Sequence, residues 1–169
     1  MFTFKVEDGT GYGDSTSYAS VEYADEYISF WYDAEEWDTL TNEEKEKKLM
    51  IATSFLDSAV RWQSSIRNIE QALQFPRQDF FDLDGRIVRS NIVPQAVKDA
   101  TVQLAYASMI SPLSTKGYSI KQESFGDSSD IYAAPVTVYE NEGVRSVLLA
   151  LTALGYAQSR TTYVTIQRS

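Results

Sequence analysis

The sequence predicts a mainly α-helical fold: a bundle of about four helices, a β-hairpin or long-loop insertion, and an extended C-terminal arm. Three observations lead there. Apolar residues recur at helical spacing near 21–33, 42–60, 94–111 and 144–154. Capping residues, prolines and glycines punctuate those segments. Apolar residues make up 43% of the 169, with three Trp, eleven Tyr and eight Phe, enough to build one packed domain.

The chain opens with an alternating stretch, Phe2, Phe4 and Val6, then a turn-rich loop from Asp8 to Ser15. Gly9, Gly11 and Gly13 within it predict sharp bends or positive φ. Ser20 reads as an N-cap, with Val21, Ala24, Tyr27, Ile28 and Trp31 as the apolar positions of the first helix. Thr41-Asn42-Glu43-Glu44 is a capping box, in which the Thr hydroxyl and the Glu carboxylate satisfy reciprocal backbone donors. Its helix is predicted to run to about Val60. Leu49, Ala52, Leu56 and Ala59 form its stripe, Ile51 and Phe55 widen it, and Lys45, Lys47 and Lys48 fall on the solvated face.

The helical pattern fades between Trp62 and Val93. Gln71 to Arg77 ends a short helix or turn, and Pro76 makes Phe75 extended. Asp82-Leu83-Asp84-Gly85 predicts the tip of a hairpin. Pro94 opens the third helix, with Val97, Ala100, Leu104 and Ala107 on one stripe, and Pro112 ends it. Residues 113–143 are polar, with strand-like pieces at Tyr118–Phe125 and Ile131–Tyr139 around a turn at Gly126–Asp130. They are expected to protrude. The fourth helix carries Val144, Val147, Leu148, Leu151 and Leu154, and Gly155 is its natural C′ residue. The organisation expected is one domain over 1–160 with a strand-prone arm over 161–169.

Composition narrows the functions. A formal charge of −9 repels nucleic acid unless a local basic patch overrides it. With no Cys and no His there is no thiolate nucleophile, no Ser-His dyad and no His- or Cys-based zinc site. The expectation is a protein that is not an enzyme and needs no cofactor or metal. No apolar run is long enough for a membrane helix, and the first residues lack the features of a signal peptide, so a cytoplasmic origin is expected. The abundance of Tyr suits either the edge of a monomer core or a surface that other chains cover.

Four constellations bear on chemistry. The Gly-rich loop at 9–13 has no following Lys and is flanked by Asp8 and Asp14, so it reads as structural rather than phosphate-binding. Asp33, Glu35, Glu36 and Asp38 lie among Trp31, Tyr32 and Trp37; a carboxylate-and-aromatic sugar cleft is the sharper reading, a solvated helix end the plainer one. Asp127 and Asp130 lack the ligand order of a calcium loop. Arg61, Arg67, Arg77, Arg86 and Arg89 are interleaved with Trp62, Phe75, Phe80 and Phe81, a composition that can grip single strands. Four carboxylates share that window, so pairing within or between subunits is preferred, with Arg61, Arg77, Arg86 and Arg89 as candidate inter-subunit partners.

Several motifs carry a family resemblance. They are Val6-Glu7-Asp8-Gly9-Thr10-Gly11 leading to Ser17-Tyr18-Ala19-Ser20-Val21, then Trp37 with Leu40-Thr41, Ala52-Thr53 with Leu56-Asp57, and Arg61-Trp62. Gln71-Ala72-Leu73-Gln74-Phe75-Pro76-Arg77 and Val93-Pro94 with Val97 and Ala100 follow. Over roughly residues 5–110 the chain resembles head-to-tail adaptor, or head-completion, proteins of tailed bacteriophages, a family also labelled DnaT-like and single-stranded-DNA-binding. It departs from the family in having Ser64 and Ser65 where a Gly usually follows the Arg-Trp pair.

The resemblance implies a virion protein of the neck, assembled in the host cytoplasm as a ring, commonly of twelve copies. Its partners would be the portal protein, a tail or nozzle protein and itself, with genomic DNA sliding through unbound and no membrane involved. Single-strand binding is the alternative function. On the adaptor reading the C-terminal strand former, Tyr163, Val164, Thr165, Ile166 and Arg168, is expected to dock on the portal or a neighbouring subunit. Pairing with the Phe2–Val6 stretch of its own chain is the plainer expectation.

Overall fold

A computed structural model describes residues 3–113, 115–118, 136–139 and 141–157. Five helices and three two-stranded antiparallel ladders lie along them. They run α1 (Val21–Trp31), α2 (Glu35–Asp38), α3 (Asn42–Ala59), β1 (Ser65–Ile66), β2 (Arg77–Gln78), β3 (Phe80–Phe81), β4 (Ile87–Val88), α4 (Gln95–Ile110), β5 (Thr115–Tyr118), β6 (Val136–Tyr139) and α5 (Glu142–Ala153). The mainly helical reading with a small hairpin insertion holds.

The bundle is organised around α4, which packs on α3, α5 and α1. Its stripe of Val97, Ala100, Leu104 and Ala107 is buried as the spacing requires, with Thr101, Val102 and Ala105 widening it. Small residues let the neighbours come close. A Cβ on Gly143 would lie 2.8 Å from the Ala107 Cβ, so the start of α5 sits directly on α4. Asn141 fastens the same junction. Its Nδ2 donates to the carbonyls of Ala107 and Ser111, while its Oδ1 accepts from the amides of Gly143 and Val144. The cap therefore begins α5 two residues before the predicted start. Gly155 takes φ +77° just past its end, as a C′ glycine should.

The capping box of α3 forms as expected. The Glu44 amide donates to Thr41 Oγ1 (3.3 Å), and the Thr41 amide donates to Glu44 Oε2 (2.9 Å). Leu49, Ala52 and Leu56 are fully buried. Removing a side chain such as Leu56 from water contributes about 1.5–3 kcal/mol.

Two assignments on α3 need correction. Ile51 does not widen the stripe but is exposed, because two residues from Leu49 is about 200° around a helix. Lys45 is not solvated either. It sits one turn before Leu49 on the buried stripe, its stem in the core and its Nζ 2.9 Å from Asp25 Oδ1, above the Trp37 ring.

The first helix ends at Trp31 rather than near residue 33, because Tyr32 turns extended (φ −135°, ψ 170°). Trp31 accordingly leaves the buried stripe of Val21, Ala24 and Ile28 for the surface. The hairpin predicted around Asp82–Gly85 is β3–β4, with Phe80 opposite Val88 and Phe81 opposite Ile87, and Gly85 at φ +74°. In the 113–143 insertion, β5 pairs with β6, Thr115 opposite Tyr139 through Tyr118 opposite Val136. Among the described residues the first strand thus begins three residues before the predicted Tyr118–Phe125 piece and shares Tyr118 with it, while the second falls at the end of the Ile131–Tyr139 piece. The turn expected at 126–130 and the arm at 161–169 lie outside the described residues.

Candidate functional site

The Gly-rich loop is built around one carboxylate that the sequence reading passed over. Glu7 is fully buried, and its Oε1 accepts from the amides of Gly9 and Gly11, both at 2.8 Å. Its Oε2 accepts from the Tyr12 amide (3.0 Å) and Ser15 Oγ (2.9 Å). Converging amides of this kind are how a loop cradles an anion, but here the anion is the chain's own side chain. The structural reading of the loop therefore has a physical basis. Gly9 (φ +106°) lies so close to the neighbouring segment that a Cβ would fall 2.1 Å from the Asn91 carbonyl oxygen. Arg67 Nη1 donates to the Gly9 carbonyl and the Ala72 amide to the Tyr12 carbonyl, clamping the loop against 67–72.

A second buried cluster joins the same segment to α3. Tyr18 Oη donates to Asp57 Oδ1 (2.6 Å) and accepts from the Phe75 amide (3.1 Å), while the Gln74 amide donates to Asp57 Oδ2 (3.1 Å). Burial pushes the Asp57 carboxyl up to about 6, against the pull of those hydrogen bonds and the nearby Arg77 charge. Burial, then the Asp57 charge, pushes the Tyr18 phenol well above its usual value. Phe75 sits edge-on to Tyr18, Trp62 and Phe80, and its bond to Pro76 is cis. The Phe-Pro-Arg run is thus a packing motif.

The arginine window divides sharply. Arg77 is buried, and its guanidinium donates to the carbonyls of Gln63, Ser64 and Gln74 and to Gln74 Oε1. It holds the 63–64 turn, where Ser64 takes φ +62°. Arg86 bridges Asp82 and Asp84 inside its own hairpin, both at 2.8 Å. Arg67 holds the glycine loop. Three of the five make hydrogen bonds within the described fold, Arg77 from a buried position and Arg67 and Arg86 from the surface, while Arg61 and Arg89 are exposed.

Beside them stands an apolar surface that the sequence reading did not single out. On the β3–β4 hairpin, Phe80 and Val88 share the inner face, and Phe80 stacks on Tyr156. The opposite pair, Phe81 and Ile87, is 52% and 72% exposed, and Leu83 at the tip is 70% exposed while touching Gly155 beyond α5. The signal available in the sequence was Phe80-Phe81: adjacent strand residues point to opposite faces, so one of two large rings must face out.

The acidic–aromatic cluster at 33–38 also separates. Trp37 is buried and donates its Nε1 to Asp25 Oδ1 (2.7 Å). Asp33, Glu35, Glu36 and Asp38 all face solvent beside the exposed Trp31 and Tyr32, so no enclosed carboxylate pair forms. Among the described residues no group of three or more His, Cys, Asp or Glu is placed to hold a metal ion. Asp127, Asp130 and the arm residues Tyr163, Val164, Thr165, Ile166 and Arg168 lie outside the described residues.

The described chain is a helical-bundle protein with a self-filled N-terminal loop and a hairpin that is apolar on its outer face. It belongs to the family described as "Putative DnaT-like ssDNA binding protein", whose family model matches residues 2–169. That match runs well past residue 110, where the recognisable sequence motifs stop. No curated protein and no solved structure matches the chain. The family description agrees with the single-strand alternative and leaves the adaptor assignment without support of its own.

Proposed function

We propose that the chain is a structural, non-catalytic adaptor subunit of a tailed bacteriophage, one copy of a ring between portal and tail through which DNA passes unbound. The observation that carries this reading is the surface of the β3–β4 hairpin. Phe81, Leu83 and Ile87 are half or more exposed on the outer face of a hairpin whose inner face packs on Tyr156, an arrangement that favours a protein partner. The cations nearby support it. Arg77 is buried on backbone carbonyls, Arg86 is paired with Asp82 and Asp84 at the surface, and the formal charge of −9 opposes a phosphate backbone.

Single-strand binding is the second reading. The family description favours it, and Arg61, Arg89 and Phe81 are exposed residues that would serve it, with Arg67 and Arg86 also at the surface.

One pair of measurements tests the adaptor reading. Phe81→Ser with Ile87→Ser removes the apolar face at exposed positions and should leave the fold intact. The double variant is expected to fail to join portal-bearing heads that the parent chain completes. The parent is expected to show no salt-dependent binding to oligo-dT. Normal attachment by the double variant would sink the hairpin's role. Tight oligo-dT binding that weakens steeply with salt and is lost in Arg61→Ala with Arg89→Ala would replace the adaptor reading with the second one.

A further inference from the structure

We propose that the aromatic face at the end of α1 docks a cationic, arginine-bearing protein segment. Phe30 and Trp31 are 77% and 65% exposed, and Tyr32 beside them is 38% exposed. They continue a ladder that climbs one flank of the helix. Tyr23 stacks on Tyr27 at 6.3 Å, Tyr27 lies 6.4 Å from both Trp31 and Tyr32, and Tyr32 reaches Tyr106 of α4 at 4.5 Å.

This platform is held from behind. Tyr23 Oη donates to Asp99, Gln103 Nε2 donates to Tyr27 Oη (2.6 Å), and Tyr106 Oη donates to the Asp33 carbonyl (3.1 Å). These bonds order the rings of Tyr23, Tyr27 and Tyr106 on which Trp31 and Tyr32 rest, so the backing of the platform loses little freedom when a partner arrives. The outer faces of Phe30 and Trp31 are left open, edge to face at 5.0 Å.

The charge around the platform selects the partner. Glu22, Glu26, Asp33 and Glu35 are exposed along its rim. Twelve of the 24 acidic residues fall in residues 1–44, with Lys5 as the one basic residue, so this quarter carries −11 and the remainder +2. The nearest cation in sequence, Lys45, is buried and bound to Asp25. A nucleic acid would meet like charge here, and so would a second copy docking the same face on itself. A guanidinium suits both parts of the surface. It stacks on aromatic faces and pairs with carboxylates through its planar fork.

The inference rests on the reading that the chain docks proteins, and its test needs no phage heads, so the two can fail separately. The full-length chain is titrated into fluorescein-labelled nona-arginine and read by anisotropy at about 50 mM and about 500 mM salt. Binding is expected at the lower salt and strongly weakened at the higher. Phe30→Ser with Trp31→Ser keeps every charge and changes only exposed rings. It is expected to weaken binding about tenfold with an unchanged melting curve, as the loss of two cation–π contacts implies. Nona-lysine should bind more weakly than nona-arginine. Equal affinity of the parent and the double variant would reduce the attraction to diffuse charge and overturn the proposal. So would absence of binding at low salt, or self-association of the parent that the double variant abolishes.

Discussion

Replacing Glu7 with Gln tests whether one buried carboxylate organises the N-terminal loop. The wild-type side chain accepts four hydrogen bonds at 2.8–3.0 Å, three of them from backbone amides. A glutamine keeps one acceptor oxygen. Turned to retain the Gly9 and Gly11 amides, it points an NH2 group at the Tyr12 amide and Ser15. The Ser15 hydroxyl can rotate and accept, but the Tyr12 amide then faces a donor and is left unpaired. That costs about 1–3 kcal/mol, and turning two charge-assisted bonds into neutral ones costs about 1 kcal/mol each. The expected loss is about 3–5 kcal/mol, against a total stability of about 5–15 kcal/mol. At about 2–4 °C per kcal/mol for a chain of this size, the melting temperature should fall by about 6–20 °C. Urea unfolding by circular dichroism gives the free energy, and hydrogen exchange at Gly9 and Gly11 shows whether the loop opens first. A loss below about 1 kcal/mol, with those amides still protected, would refute the reasoning.

Two further variants probe the segments that hold the loop. Ser64 occupies the left-handed region at φ +62°, where a non-glycine residue costs about 1–2 kcal/mol. Ser64→Gly removes that cost and gives part of it back as unfolded-chain entropy, so the unfolding free energy should rise by up to about 1 kcal/mol, read as a higher urea midpoint at constant slope; a fall would mean the serine side chain matters more than its backbone. Asp57 keeps its proton to about pH 6 in the fold, against 3.8 for the free group, so the native state binds more protons between those values. Its contribution is therefore fully present below pH 3.8 and is lost as pH rises through 6, by about 3 kcal/mol at most. Asp57→Asn cannot titrate, so parent stability relative to the variant should decline from pH 4 to 6.5 in urea titrations. A flat difference would show that the carboxyl ionises as freely in the fold as outside it.

Much of the fold was legible because its signals are local. The Thr41–Glu44 box, the Val97–Ala100–Leu104–Ala107 stripe, the Asp82–Gly85 turn and the glycine beyond α5 each act over four to eleven residues. A helix period or a turn dipeptide needs no distant partner to be read. The same local view misplaced Lys45, whose burial depends on Asp25 and Trp37 rather than on its neighbours Glu44 and Glu46. It also overlooked Glu7, because an acidic residue before a glycine loop reads as solvated until the loop folds back over it.

By itself, then, the sequence determined the four longer helices, the caps that open α1 and α3, the hairpin tip and an acidic composition without His or Cys. Tertiary structure alone decided which charged groups are spent and which are offered. Arg77 is consumed by the carbonyls of a turn some 14 residues away and Glu7 by the amides that follow it, while Arg86 stays at the surface beside the carboxylates of its own hairpin. It also decided that Phe30, Trp31, Phe81 and Ile87 face water while Tyr18, Trp37 and Phe80 do not. The physical reason is that burial and pairing are properties of the space between segments. Residues far apart in the chain meet there only after packing, and no periodicity within one segment specifies which face a second segment will cover.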